Sequence, residues 1–208
     1  TVQRMSAVSI DLEAGQEVCV AATKTFTNEV VALLALAEKF GFEAELDSIP
    51  QKIRDTIERA EAKVKAVAEM ISDENDVYVL GRGVSYPSAL EFAHKMKEIA
   101  YVHAEGMMGG ELKHGTLALI EKGTPVFALI ACDDAAMMSN AREVGARYAK
   151  VLTVSSNPES DIPVPASNSG TFSILAVAIG QLLAYYIALK RGLPIDKPRN
   201  LAKSVTVK

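Results

Sequence analysis

VYVLGRGVSYPSALEFAHKMKEIA, residues 77–100, decides the architecture. A short apolar run, VYVLG (77–81), meets the glycine turn GRGVSYP, and a helix carrying Lys95 and Glu98 follows. A strand without alternating polar residues is buried on both faces, which is the situation of a parallel sheet covered by helices. The same rhythm returns downstream. TPVFALIA (124–131) leads into Asp133-Asp134, an N-cap-like start for a helix to about Lys150. VLTVSS (151–156) and DIPVPA (161–166) precede a long apolar helix that stops at Lys190-Arg191-Gly192, with basic residues and a glycine C-cap. The fold class is therefore α/β, a parallel sheet flanked by helices.

Upstream, Ile53, Ile57, Val64, Val67 and Ile71 recur at helical spacing between charges, predicting an amphipathic helix from about Ser48 to Ser72 with Pro50 in its first turn. A further helix is expected from about Glu17 to Phe40, ended by Gly41. Alternation in AVSIDLEAG (7–15) predicts an edge strand. The closing segment LPIDKPRNLAKSVTVK has neither period, but Arg199, Asn200 and Lys203 beside Leu201 and Ala202 mark it as a segment that docks. No internal repeat is visible.

Composition is globular, with 49% hydrophobic and 23% charged residues, and the formal net charge of -4 argues against nucleic acid as a partner. Cys19 and Cys132 lie in apolar contexts without CxxC pairing and are expected to be reduced thiols. Thr1–Arg4 leads into no signal-peptide pattern. No charge interrupts residues 162–189, and TFSILAVAIGQLLAYYIAL (171–189) is about a membrane span in length, yet Thr171, Ser173, Gly180 and Gln181 interrupt the apolar character. A buried helix in a soluble, cytoplasmic protein is the expectation.

Chemistry concentrates between His94 and Thr116, which holds all three histidines together with Lys95, Glu98, Glu111 and Lys113. Lys95 and Glu98 share a helix face, as do His94 and Glu98. By itself a KxxE pair is an ordinary surface ion pair. What raises its interest is the glycine-bracketed turn Gly109-Gly110-Glu111-Leu112-Lys113-His114-Gly115 close behind. Neither HExxH nor HxH spacing is present and lysines crowd the histidines, so no metal is expected. GRGVSYP lacks both GxGxxG and a P-loop lysine, and no GxSxG occurs. Thr23, Thr25 and Thr27 read as helix-capping hydroxyls. The general rule for open α/β sheets places an active site at the carboxyl ends of the strands, where GRGVSYP and the residues after Ala131 emerge.

Five segments, AGQEVCVAATKTFTNE, LGRGVSYPSALEFAHKMKEIAYVHAE, GGELKHGTLALI, QLLAYYIALKRG and PRNLAKSVTV, follow one another in order along nearly the whole chain. They resemble the isomerase domain of the glutamine–fructose-6-phosphate amidotransferase (glucosamine-6-phosphate synthase) family, one of the sugar isomerase (SIS) domains. That resemblance implies a flavodoxin-like three-layer α/β/α fold. It implies that residues 1–45 are the tail end of a first SIS subdomain, 46–192 a second subdomain, and 193–208 a tail completing the sugar site. Implied partners are fructose 6-phosphate and glucosamine 6-phosphate, a second copy of the chain in a homodimer, and a glutaminase domain in the full-length protein. No cofactor, nucleic acid or membrane is implied. The family's phosphate-gripping SQSGET-type segment would precede Thr1, so the chain alone is expected to bind sugar poorly.

Carried over by position, Glu98 resembles the family's proton carrier between C1 and C2, Lys95 a lysine assisting it, and His114 the ring-opening histidine supplied by the neighbouring subunit. Lys203 matches the imine-forming lysine, and Val20 and Ala202 line the sugar pocket. Ala22, Thr23 and Arg199 complete the implied substrate contacts. Ala22 stands where the family usually has serine, and Thr116 where proline follows KHG. Two rival readings stay open: a glutaminase-free SIS enzyme such as an isomerising glucosamine-6-phosphate deaminase, and a non-catalytic sugar-phosphate sensor. The Glu98, His114 and Lys203 set counts against the second.

Overall fold

A computed structural model describes residues 2–203. Five parallel strands form one sheet in the order β2-β1-β3-β4-β5: β1 (Asp76–Gly81), β2 (His103–Met108), β3 (Pro125–Ile130), β4 (Lys150–Ser155) and β5 (Ile162–Pro163). The helices are α1 (Val2–Met5), α2 (Lys24–Glu38), α3 (Ile49–Ile71), α4 (Ser85–Ala100), α5 (Ala135–Gly145) and α6 (Ser169–Lys190). Single 3-10 turns occupy Leu46–Ser48, Glu111–His114 and Thr116–Leu119.

Strand β3 is buried along its whole length, as its unbroken apolar run requires. Because side chains alternate across a strand, β3 feeds two cores. Phe127 and Leu129 join Val77, Val79, Leu152 and Val154 beneath α3, α4 and α6. Val126, Ala128 and Ile130 join Tyr78 and Leu80 against Met137, Ala141 and Val144 of α5. Three helices thus cover one face and one helix the other, giving the expected α/β/α layers.

Helix α6 is apolar on every side and long enough to cross a membrane, but most of it is buried against α3 and α4. Phe172, Ile174, Leu175, Ile179, Leu183 and Ile187 are each almost completely removed from solvent, and each contributes roughly 2 kcal/mol by transfer alone. A Cβ on Gly180 would lie 2.6 Å from the Phe92 ring, so glycine is what lets α4 settle onto α6. At the end of α6, Gly192 takes a left-handed φ of 65° while Leu193 N–H reaches Ala188 O, the glycine cap read from the sequence.

Three expectations are corrected and one strand is added. Residues 7–15 form no strand: among the described residues none lies alongside to pair with, and Val8 and Ile10 are exposed. The expected helix from Glu17 begins at Lys24, because residues 17–23 are held as an irregular segment by Glu17 and by the tail. Helix α5 stops at Gly145 rather than near Lys150, since the turn through Tyr148 (φ 65°) delivers the chain to β4. Strand β2 was hidden in HAEGMM, whose polar residues suit an edge position; a Cβ on Gly106 would fall 2.5 Å from Ala89 O of α4, so the strand breaks its apolar pattern where the helix presses closest.

Candidate functional site

The last turns of α4 carry a compact ionic cluster. Lys95 is only 2% exposed, and its Nζ lies 2.6 Å from Glu98 Oε2 and 3.1 Å from Glu91 Oε1. The i,i+3 and i,i+4 spacings bring these groups together. His94 Nε2 sits 3.3 Å from Glu98 Oε1, and its Nδ1 3.3 Å from Glu91 Oε2. One oxygen of Glu98 therefore faces the buried lysine and the other an exposed imidazole. With the carboxylate group largely covered, a proton arriving there meets fixed partners rather than bulk water.

Beside this cluster is a cavity of about 460 Å³ lined by Glu98, His94, Lys97, Tyr101, Arg199 and Leu201. The cavity is built by the tail docking on the end of α4. Tyr101, in a left-handed conformation (φ 55°) at the helix C-cap, accepts a 2.6 Å hydrogen bond from Arg199 N–H. The Arg199 guanidinium stacks 4.5 Å from the Tyr101 ring centroid. Upstream of this contact, Arg191 donates to Ser72 O, Glu74 O and Ala100 O, tying the ends of α3 and α4 to the start of the tail. Val20 N–H then donates to Asp196 O at 3.1 Å.

Next to the docked tail stands a second ionic group. Glu17 Oε1 accepts from Thr23 N–H, the Thr23 hydroxyl and Lys24 N–H at 2.8–3.0 Å, capping α2 from outside its own sequence neighbourhood. Lys203 Nζ lies 3.7 Å from Glu17 Oε2 and donates to Val20 O at 3.4 Å. Burial alone would push the Glu17 carboxyl upward, but hydrogen bonds from Thr25 and Thr23 and the charge of Lys203 outweigh it and hold the group down at about 2.

Of the sequence-predicted residues, Lys95, Glu98 and Arg199 border or support the cavity, and Leu201, two positions before Lys203, lines it as well. Val20 and Lys203 touch each other, Thr23 hydrogen-bonds Glu17, Ala22 is half-buried beside them, and Ala202 is exposed. His114 is not brought here. It lies exposed in the 3-10 turn beyond β2, whereas Glu98 precedes that strand; six extended residues separate the two ends by roughly 20 Å. The cluster also stands at the amino-terminal ends of β1 and β2, away from the strand ends to which the general α/β rule pointed. His103 lies within 2.6 Å of Asp76 at this edge.

Sequence reading missed Glu17, Glu91 and Tyr101. Glu91 was accessible from its i,i+4 relation to Lys95. Tyr101 carries no local signal, since its partner lies 98 positions away, and the contact of Glu17 with Lys203 spans 186 positions.

The SIS domain family model matches residues 70–187. A glutamine–fructose-6-phosphate aminotransferase (isomerizing) from Methanosarcina acetivorans is 42% identical over 230 aligned positions, covering all of this chain and 37% of that protein. The chain thus spans a little over a third of such curated relatives. Among solved structures, the C-terminal domain of glucosamine-fructose-6-phosphate aminotransferase from Francisella tularensis superposes with a TM-score of 0.84 at 32% identity, over 94% of this chain and 61% of the other. A glucosamine-6-phosphate deaminase from Thermotoga maritima gives 0.74 at 27% identity, over 91% and 59%. With more than half its length matched by the family model, the chain belongs to the SIS domain family.

Proposed function

We propose that this chain is the carboxyl-terminal isomerase part of an enzyme that makes glucosamine 6-phosphate from fructose 6-phosphate and ammonia, the ammonia coming from a glutaminase domain of the full-length protein. The observation that carries the reading is the shielded Glu98 carboxylate, braced by Lys95, on a cavity closed by the Lys203-bearing tail. Resemblance along the whole chain to curated aminotransferases supports it.

On this reading Lys203, as the free amine, attacks C2 of the open-chain ketose; water leaves and a protonated imine forms. Ammonia then displaces Lys203 at C2. The resulting substrate imine acidifies the C1 proton, which Glu98 removes and returns to C2 while the O1 hydroxyl loses its proton and C1 becomes the aldehyde. Lys95 keeps the Glu98 carboxylate aimed. Val20, Ala22, Thr23, Ala202 and Arg199 flank the sugar. His114 opens the ring in the site of a second copy, a role its exposed position suits. Residues 1–45 end a first subdomain that grips the phosphate, 46–192 form a second, 193–208 complete the site, and the dimer works in the cytoplasm.

The test is product analysis with the full-length protein. Fructose 6-phosphate with glutamine or ammonia should yield glucosamine 6-phosphate. Release of ammonia from glucosamine 6-phosphate without the forward reaction would instead identify a deaminase, and no turnover of either sugar would identify a sensor.

A further inference from the structure

We propose that Glu17 is a positioning residue for Lys203, its buried Oε2 serving as counter-ion of the protonated imine that this lysine forms with a ketose. The inference rests on the reading of Lys203 given above and adds a group that the resemblance did not assign.

The geometry is specific. The Glu17 side chain is 6% exposed, its Oε1 accepts from Thr23 and Lys24, and its Oε2 is buried with no well-formed hydrogen bond among the described residues. Buried carboxylate oxygens are normally paired, because desolvating one without compensation is costly. The cation nearest this oxygen is the Lys203 ammonium, 3.7 Å away and beyond ordinary hydrogen-bond reach. The carboxylate is kept ionised by the Thr23 and Thr25 donors, so its charge is present at any physiological pH. It is a poor proton acceptor for the same reason. What it can do is favour whichever form of the lysine nitrogen is positive.

Two forms are. Attack by the neutral Nζ makes a C2–N bond while the carbonyl oxygen takes up a proton; the carbinolamine nitrogen is uncharged. Loss of that hydroxyl as water creates the C2=N bond and returns a positive charge to nitrogen. One N–H then remains on Nζ, and the structure offers it two acceptors, Val20 O and Glu17 Oε2. A fixed negative charge at this distance therefore lowers the energy of the iminium relative to the carbinolamine and raises the pH at which the iminium deprotonates.

The experiment is borohydride trapping of the full-length protein with fructose 6-phosphate from pH 5 to 9, read by peptide mass at Lys203, alongside kcat and KM. Wild type should trap at Lys203. Glu17→Gln should trap about tenfold less and lose trapping at a lower pH, with kcat falling about tenfold and KM changing less than about twofold. Glu17→Asp, which keeps the charge but retracts it, should recover part of both; if Glu17→Gln fails to fold, this variant's pH profile decides. Wild-type trapping and titration in the variants would overturn the inference while leaving Lys203 intact. Absence of trapping in wild type together with an active Lys203→Ala protein would overturn the lysine assignment itself, and the counter-ion with it.

Discussion

The two ends of the sheet have opposite characters. At the carboxyl end of β1 the chain closes on itself, although Ile130 of β3 and Ser155 of β4 border a cavity of about 410 Å³. A Cβ on Gly81 would lie 2.2 Å from Ser85 O, and Arg82 reaches across to Asp134 at 3.1 Å. Burial pulls Asp134 upward, but N–H groups of α5 and the Arg82 charge together hold its carboxyl below the usual range. At the amino ends of β1 and β2 the reverse holds: a buried lysine, two shielded glutamates and a docked tail surround open volume. Backbone geometry makes the carboxyl end of a parallel sheet a general ligand platform. Side chains decide whether a given sheet uses it, and here a buried charged side chain, Lys95, lies where α4 ends.

The largest effect that could break this contrast is at Glu98. Glu98→Gln in the full-length protein should lower kcat about a thousandfold, the scale of a lost acid–base group, with KM little changed and the fold retained. Steady-state assays for glucosamine 6-phosphate check this; wild-type turnover would remove the amino end as the site of chemistry. Arg191→Ala should destabilise the protein by about 3 kcal/mol in urea unfolding, because three carbonyls, at the ends of α3 and α4 and in the turn before β1, lose a charged donor at once. Loosening of the tail should accompany it, visible as faster amide exchange at residues 193–203.

A pH titration sharpens the comparison further. The Glu17 carboxyl sits at about 2 in the folded protein against 4.5 for the ordinary group. A depressed folded pKa means its stabilising contribution is complete above about pH 4.5 and is lost as pH falls towards 2. Thermal unfolding of wild type should show this acid loss, and Glu17→Gln should flatten it. The smallest change is expected at the opposite end. Arg82→Ala removes an ion pair whose arginine side chain is 56% exposed, so stability should move by less than about 1 kcal/mol and turnover hardly at all. A large loss of activity there would return the carboxyl end to contention.

Legibility in the sequence followed the range of the forces involved. Strands β1, β3 and β4, the helix Ile49–Ile71 and the end of the helix Ser169–Lys190 came from periodicity, proline and cap signals that act within a few residues. Strand β2 was missed because an edge strand with a glycine pressed against a helix has no apolar period. The beginning of α2 was misplaced because its cap, Glu17, acts from seven residues before Lys24 across an irregular loop. Within the site, the Lys95–Glu98 pair was readable as helix spacing. The parts assembled by the tail were not.

The sequence by itself determined the α/β class, the buried character of α6 and the one helix face that carries Glu98, because burial and helical spacing are local consequences of residue order. Only the tertiary structure decided that Tyr101 would hold Arg199, that Glu17 would face Lys203, and that His114 would stand at the far end of the sheet. Those outcomes depend on where segments almost the whole chain apart come to rest. That placement is set by the summed packing of α3, α4 and α6 and by Arg191 binding three carbonyls, and no short window of residues contains it.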